Sequence, residues 1–229
     1  MARLLLFDID GTLLDTGGAG GASLLDAVED VLGVSRNTFP PLNLAGATDG
    51  GILRQIFSHA GRELDALTQE AYLASYLQHL HRRLHASDFP GVTLPGVLDL
   101  LPALAAAGRA DLGLLTGNVR RGAELKLARF ELIHHFLEGA FGDDAVDRNL
   151  LGPFAMERMS RATGRRYEAS EVIVIGDTPK DIACAHAIGA RCLAVGTGQF
   201  ATDQLQPHQP WQCLPDLADT ARVCDLLLS

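Results

Sequence analysis

Three short segments, far apart in the chain, follow apolar runs with small polar or acidic residues: Asp8-Ile9-Asp10-Gly11-Thr12, Thr116-Gly117-Asn118 and Gly176-Asp177-Thr178-Pro179-Lys180-Asp181. Brought together, they would set the carboxylates of Asp8, Asp10 and Asp177 in one crevice, with Asp181 close behind. Crowded carboxylates repel and raise each other's proton affinity. A hard divalent cation removes that repulsion. Oxygen-only ligation by a few carboxylates suits Mg²⁺, which keeps several waters and binds phosphate groups. Thr116 adds a hydroxyl, and the amides after it open a helix, a ready site for an anion. Gly11 and Gly117 let the backbone approach closely. Each segment alone also reads as an ordinary turn or helix cap.

In an open parallel sheet, ligands bind beyond the carboxyl ends of the strands, so the three segments converge if the runs before them are strands of one sheet. Arg3–Phe7, apolar at every residue after Arg3, closes on acids, as expected of a strand buried on both faces. Residues 111–115 precede Thr116, and the Val/Ile-rich run 171–175 precedes Gly176. Helices are predicted over 95–107, after Asn118 to about Phe130, over Leu151–Thr163, and from Pro179 to about Ile188. A further strand is expected over Arg191–Val195, and Phe141 on a short strand or turn. This alternation implies an α/β fold, a doubly wound parallel sheet with helices on both faces. Residues 22–32, 49–59 and 68–85 carry helical periodicity without a strand signal. The Gly-rich stretch 17–21 reads as a flexible connection and 89–95 as a linker. The expected organisation is a core of residues 1–15 and 93–229 with a helical block, 16–92, inserted in it.

The 229 residues carry 19 basic and 28 acidic side chains, a formal net charge of −9, and 47% hydrophobic residues, enough to fill a core. A mean hydropathy of +0.12 argues against disorder. An acidic chain without a basic block predicts no nucleic-acid partner. The apolar runs are too short to span a membrane, and an acid follows the first one too early for a secretion signal. Cys184, Cys192, Cys213 and Cys224 show no Cys-x-x-Cys spacing and read as reduced thiols, which makes the cytoplasm the expected compartment. The expected assembly is a monomer or homodimer.

Asp8-Ile9-Asp10-Gly11-Thr12-Leu13 resembles the first motif of the haloacid dehalogenase-like (HAD) hydrolases. Thr116, ending its apolar run, is similar to their second motif, and Gly176 to Asp181 resembles their fourth. Order and spacing agree along essentially the whole chain. The inserted helical block resembles the subgroup with an α-helical cap, which includes phosphoglycolate phosphatases and β-phosphoglucomutases. The resemblance implies a phosphomonoester hydrolase acting on a small phosphorylated metabolite through an aspartyl-phosphate. It implies Asp8 as nucleophile, Asp10 as general acid and base, and Thr12 as a group orienting Asp10. Mg²⁺ would be held by Asp8, the carbonyl of Asp10, and Asp177, with Asp181 behind them. Thr116, Gly117 and Asn118 would hold the phosphoryl group. The family's dehalogenases lack an Asp at the position of Asp10, so dehalogenation is disfavoured. A phosphosugar mutase on the same chemistry and a catalytically silent binding protein on the same fold are the alternatives.

The chain departs from the family at the third motif, where a Lys, often followed by Pro, precedes the fourth. Asp147-Arg148-Asn149 occupies that region. Arg148 can supply the charge, and its planar fork can span two phosphate oxygens. With acids at 143, 144 and 147, it also reads as a surface ion pair. Lys126, about eight residues into the helix after Thr116, would stand roughly 12 Å along the axis from the phosphate end, a long reach for lysine. Lys180 is a third candidate. The expectation favours Arg148 in the catalytic and phosphate-binding roles. In the helical block, the turn Gly46-Ala47-Thr48-Asp49-Gly50-Gly51 offers Thr48 and Asp49 as substrate-selecting residues or as helix caps. No arginine stands in that turn to read a substrate carboxylate. His79, His81 and His85 read as a solvated helix face, and Trp211 is expected to pack the C-terminal segment against the sheet.

Overall fold

The structure, a computed structural model, describes residues 2–229. At the centre of its main sheet, β1 (Arg3–Phe7) lies between β4 (Ala110–Leu115) and β6 (Val172–Gly176). β5 (Gly139–Ala140) flanks β4, and β7 (Arg191–Val195) and β8 (Gln212–Leu214) continue beyond β6. Every pairing in this sheet is parallel, with Leu4 opposite Asp111 on one side and Val172 on the other. The chain builds outward from β1 in one direction, then returns and builds in the other. That reversal opens a crevice at the carboxyl ends of β1, β4 and β6.

Side-chain alternation explains why the strands read as unbroken apolar runs. Leu5, Phe7, Ile173 and Ile175 face α4 (Val97–Ala107) and α9 (Thr220–Leu228). Leu4, Leu6, Val172 and Val174 face α6 (Leu151–Thr163) and α7 (Pro179–Ala187). Both faces are therefore covered. Each buried leucine contributes about 1.5–3 kcal/mol, so β1, with Leu4, Leu5 and Leu6 fully enclosed, is the anchor of the sheet.

Three helices, α1 (Ala19–Leu32), α2 (Asp49–His59) and α3 (Ala66–Leu84), enclose a separate apolar cluster around Phe57, Tyr72 and Tyr76. They lie between β2 (Leu14–Asp15) and β3 (Val92–Thr93), which pair antiparallel, so the chain passes out and back through one narrow ribbon. Residues 89–95, expected as a plain linker, thus contain a strand. The Gly-rich stretch 17–21 is not simply a flexible connection, because α1 starts inside it. Its glycines permit close packing there: a Cβ at Gly21 would crowd Leu44. α4 starts at Val97 and not at Pro95, because Gly96 caps it with φ +83°, a conformation suited to glycine. β8 and α9 had no distinct sequence signal. Trp211 packs against the core beside β8, with the Arg191 guanidinium 4.4 Å from its ring centroid. His79 sits between Asp26 and Asp30, while His81 lies exposed on α3 and His85 exposed just past its end. Among the described residues, no helix is long and apolar enough to cross a membrane, and all four cysteines are unpaired.

Candidate active site

The Asp8 amide donates to Ile175 O at 2.9 Å, carrying the pairing of β1 with β6 one residue past the strand. The Asp8 side chain is thereby held at the crevice, with the residue 4% exposed. The chain then turns at Gly11, whose φ of +82° suits glycine and where a Cβ would overlap the Asp177 carboxylate. At the end of β6, Thr178 caps α7 and Pro179 stands in its first turn. One Asp181 oxygen, Oδ2, accepts from the Thr178 amide at 3.0 Å and hydroxyl at 2.7 Å. β4 delivers Thr116, fully buried.

Carboxylate oxygens of Asp8, Asp177 and Asp181 lie within 4.8 Å of one another. Arg148 enters this cluster from a short helical turn. Its Nη2 is 3.2 Å from Asp8 Oδ1, pairs with Asp181 Oδ1 and donates to Leu115 O at 3.3 Å. Its Nε is buried without a partner. Arg148 is therefore no surface residue. Burial opposes its charge, but Asp181 and Asp8 outweigh that and hold it protonated. Burial lifts the Asp8 carboxyl above the ordinary carboxylate range, with Arg148 opposing and Asp181 adding to the rise. Asp177 is lifted further, by burial and by the charges of Asp181 and Asp8. Both Asp181 oxygens are engaged by Arg148 and Thr178, so a metal could be held by Asp8 and Asp177, through the oxygens that Arg148 and Thr12 leave. This donor set, all oxygen, buried and with excess negative charge, fits a hard divalent cation such as Mg²⁺.

Thr12 does not orient Asp10. Its hydroxyl donates to Asp177 Oδ1 at 3.2 Å. Asp10 is held instead by Lys126, whose Nζ stands 2.8 and 2.6 Å from its two oxygens, and by Asn118 Nδ2 at 2.8 Å. The same Asn118 side chain accepts from Lys126 at 2.6 Å and donates to Thr116 Oγ1 at 2.9 Å. Asn118 thus braces Asp10 with its side chain. Lys126, expected to have a long reach to the site and set behind Arg148 for that reason, does reach it. α5 (Arg120–Arg129) begins only at Arg120, so Lys126 is six residues into the helix, about 9 Å along its axis. Helical side chains lean toward the N-terminus, and the lysine stem spans the remainder. Lys126 and Arg148 are therefore not rivals for one place, since Lys126 pairs with Asp10 and Arg148 with Asp8 and Asp181. Lys180 is exposed and forms no ion pair among the described residues.

Of the two roles open to it, Thr48 takes the helix cap and not the substrate-selecting one. It caps α2 by accepting from the Gly51 amide at 3.0 Å and donates to Val146 O at 2.6 Å, away from the cavity. Asp49 does face the cavity. Its amide donates to Gly117 O at 2.7 Å, and its Oδ2 accepts from the Val119 amide at 2.8 Å. Burial pushes its carboxyl up to about 6, with Lys126 opposing. The turn before α2 presses on Gly117, where a Cβ would overlap the Ala47 carbonyl. Between that turn, the helices α1 to α3 and the strand ends lies a cavity of about 390 Å³. It is also lined by Tyr76 and by the Thr197–Gly198–Gln199 loop after β7, which sequence reasoning missed. Tyr76 gave only helical periodicity. The loop lies beside Gly11, whose carbonyl accepts from the Thr197 hydroxyl at 2.6 Å.

A doubly wound sheet with an aspartate pair, two buried cations and a metal-compatible carboxylate set at its strand ends defines a hydrolase-type active site. The sequence model of the family "Haloacid dehalogenase-like hydrolase" matches residues 5–195. The chain belongs to this family, and it is an enzyme of the phosphatase kind. It is 27% identical to "Probable phosphatase IndB" of Dickeya dadantii, covering 100% of this chain and 96% of that protein. It is 28% identical to phosphoglycolate phosphatase of Rhodospirillum rubrum, covering 86% and 81%. The crystal structure of a hydrolase from Pseudomonas syringae superposes with a TM-score of 0.74 at 20% identity, covering 100% of both chains.

Proposed function

We propose that the protein is a Mg²⁺-dependent phosphomonoester hydrolase acting on a small phosphorylated metabolite, as the phosphoglycolate phosphatases among its relatives are named to do. The observation that supports this best is the pair Asp8 and Asp10. Both stand in one cavity, Asp8 beside Arg148 and Asp177, Asp10 under Lys126 and Asn118. In the first step an Asp8 oxygen attacks phosphorus. The bond from phosphorus to the ester oxygen breaks, and Asp10 gives its proton to the departing alkoxide. In the second step Asp10 takes a proton from water, whose oxygen attacks phosphorus, and the bond to Asp8 breaks. Inorganic phosphate leaves, and both carboxyl groups return to their starting states. Thr116, Gly117, the amides after it and Arg148 hold the phosphoryl oxygens. Lys126 and Asn118 keep the Asp10 carboxyl at the cavity wall. Mg²⁺, held by Asp8, Asp177 and the carbonyl of Asp10, would neutralise phosphoryl charge.

Residues 16–92 act as a cap over a core of 1–15 and 93–229, and the ribbon of β2 and β3 is its hinge. Closure would exclude water from the reacting centre. The unpaired thiols fit a reducing compartment, the cytoplasm. The test is phosphate release from a panel of phosphorylated metabolites with Mg²⁺ and with chelator. Asp8→Asn should abolish release in a folded protein, because an amide is no nucleophile here. Undiminished rates in that variant would refute the mechanism.

A further inference from the structure

The two ends of the cavity differ in charge. Among the described residues, Arg148 and Lys126 are its only lining cations, and both are already paired, one with Asp8 and Asp181, the other with Asp10. The wall contributed by α1 to α3 and the turn before α2 presents Leu24, Leu44, Ile52, Asp49 and Tyr76, besides glycines and alanines. Its one formal charge is Asp49, and Asp15 on β2 adds another of the same sign. The Val119 amide fixes Asp49 Oδ2 at 2.8 Å, while no protein donor among the described residues takes Oδ1. Tyr76 is only 1% exposed, yet its hydroxyl has no protein partner among the described residues, whereas its neighbour Tyr72 donates to Leu24 O at 2.7 Å. Neither atom is sealed off from the cavity that both residues line, so a ligand there can pair an open carboxylate oxygen and an open phenol hydroxyl.

We propose that the leaving group of the substrate is an uncharged, hydroxyl-bearing alcohol, read by Asp49 and Tyr76. This rests on the phosphatase reading above and names its substrate class. An alcohol hydroxyl donates to Asp49 and accepts from Tyr76 at once. A carboxylate or second phosphate offers acceptors only, so it has no hydrogen to donate to Asp49 and its charge repels that carboxylate. An ammonium would suit Asp49 but would stand near Lys126, whose charge acts on the same carboxylate.

The test uses p-nitrophenyl phosphate as reporter substrate with Mg²⁺. Three phosphates of one carbon skeleton serve as competitors: glycerol 3-phosphate, 3-phosphoglycerate and 3-amino-2-hydroxypropyl phosphate. In the wild type the inhibition constant of glycerol phosphate should lie at least about tenfold below those of the other two. Asp49→Asn keeps an acceptor for the Val119 amide and should narrow the gap to phosphoglycerate about fivefold or more. Tyr76→Phe should weaken glycerol phosphate severalfold and leave phosphoglycerate unmoved. Inhibition constants do not depend on the active fraction, so partial misfolding of a variant does not mimic these results. Equal or tighter binding of the carboxylate or the amine, or an unchanged gap in Asp49→Asn, overturns the inference alone. No hydrolysis of the reporter by the wild type overturns the phosphatase reading and the inference with it.

Discussion

Replacing Asp177 by Asn should make the metal-free protein more stable while impairing its response to metal. Asp177 shares a buried site with Asp8 and Asp181, their oxygens within 4.8 Å. Two unit charges at that separation repel by about 3.5 kcal/mol at an effective dielectric constant of ~20. Arg148 offsets part of this, leaving roughly 1–2 kcal/mol for the amide to relieve. The Asn side chain still accepts the Thr12 hydroxyl now bonded to Asp177 Oδ1 at 3.2 Å. In the folded state the Asp177 carboxyl is raised from 3.8 to about 8, by burial and by its acidic neighbours. A folded-state value above the unfolded one means stability present at low pH and lost as pH rises through the raised value. The advantage of Asp177→Asn should therefore be small at pH 5 and largest at pH 8 and above. At about 2–4 °C per kcal/mol for a chain of this size, it amounts to roughly 2–8 °C in Tm. Thermal melts in chelator across this pH range measure it. With Mg²⁺ at about 100 times its Kd, the wild type should gain about 2.7 kcal/mol and the variant, lacking a ligand, much less, so the order reverses. A variant no more stable than wild type in chelator at pH 8, or equal stabilisation of both by Mg²⁺, would refute the reasoning.

Asp10→Asn should lower kcat by ~10²–10⁴-fold in a phosphate-release assay while its melting temperature stays close to wild type. Lys126→Met keeps the stem but strips Asp10 and Asn118 of their shared cation, and should cost on the order of 10² in kcat; an unchanged rate would assign Lys126 to packing alone. Arg148→Ala leaves Asp8 and Asp181 buried without their counter-ion and should destabilise the metal-free protein by about 3–5 kcal/mol at pH 8, read by denaturant unfolding, with a smaller loss at pH 5.

The parallel sheet was legible because β1 from Leu4 onward and β6 throughout are runs without a polar side chain, too short for a helix and fitting strands covered on both faces. The strand-end segments were legible because acids and glycines directly after such runs have no place in the core. β3, with two residues, and β8, with three, are too short to carry a periodicity. Their pairing comes from partners distant in the chain, Leu14–Asp15 for one and β7 for the other. Hydroxyl partners were not legible either. Thr12 chooses Asp177 over Asp10, and Thr48 chooses Val146, because each hydroxyl bonds the acceptor that folding brings within its reach. The two cations show the same division. Their types and positions stand in the sequence, but which carboxylate each meets depends on where α5 begins, how the chain turns from Thr116 to Arg120, and how deeply the 148–150 turn sinks under β4. Local residue patterns decide which elements form and what chemistry stands at their ends. Distances of a few ångströms between side chains far apart in sequence are set by packing of whole elements, and only the tertiary structure contains them.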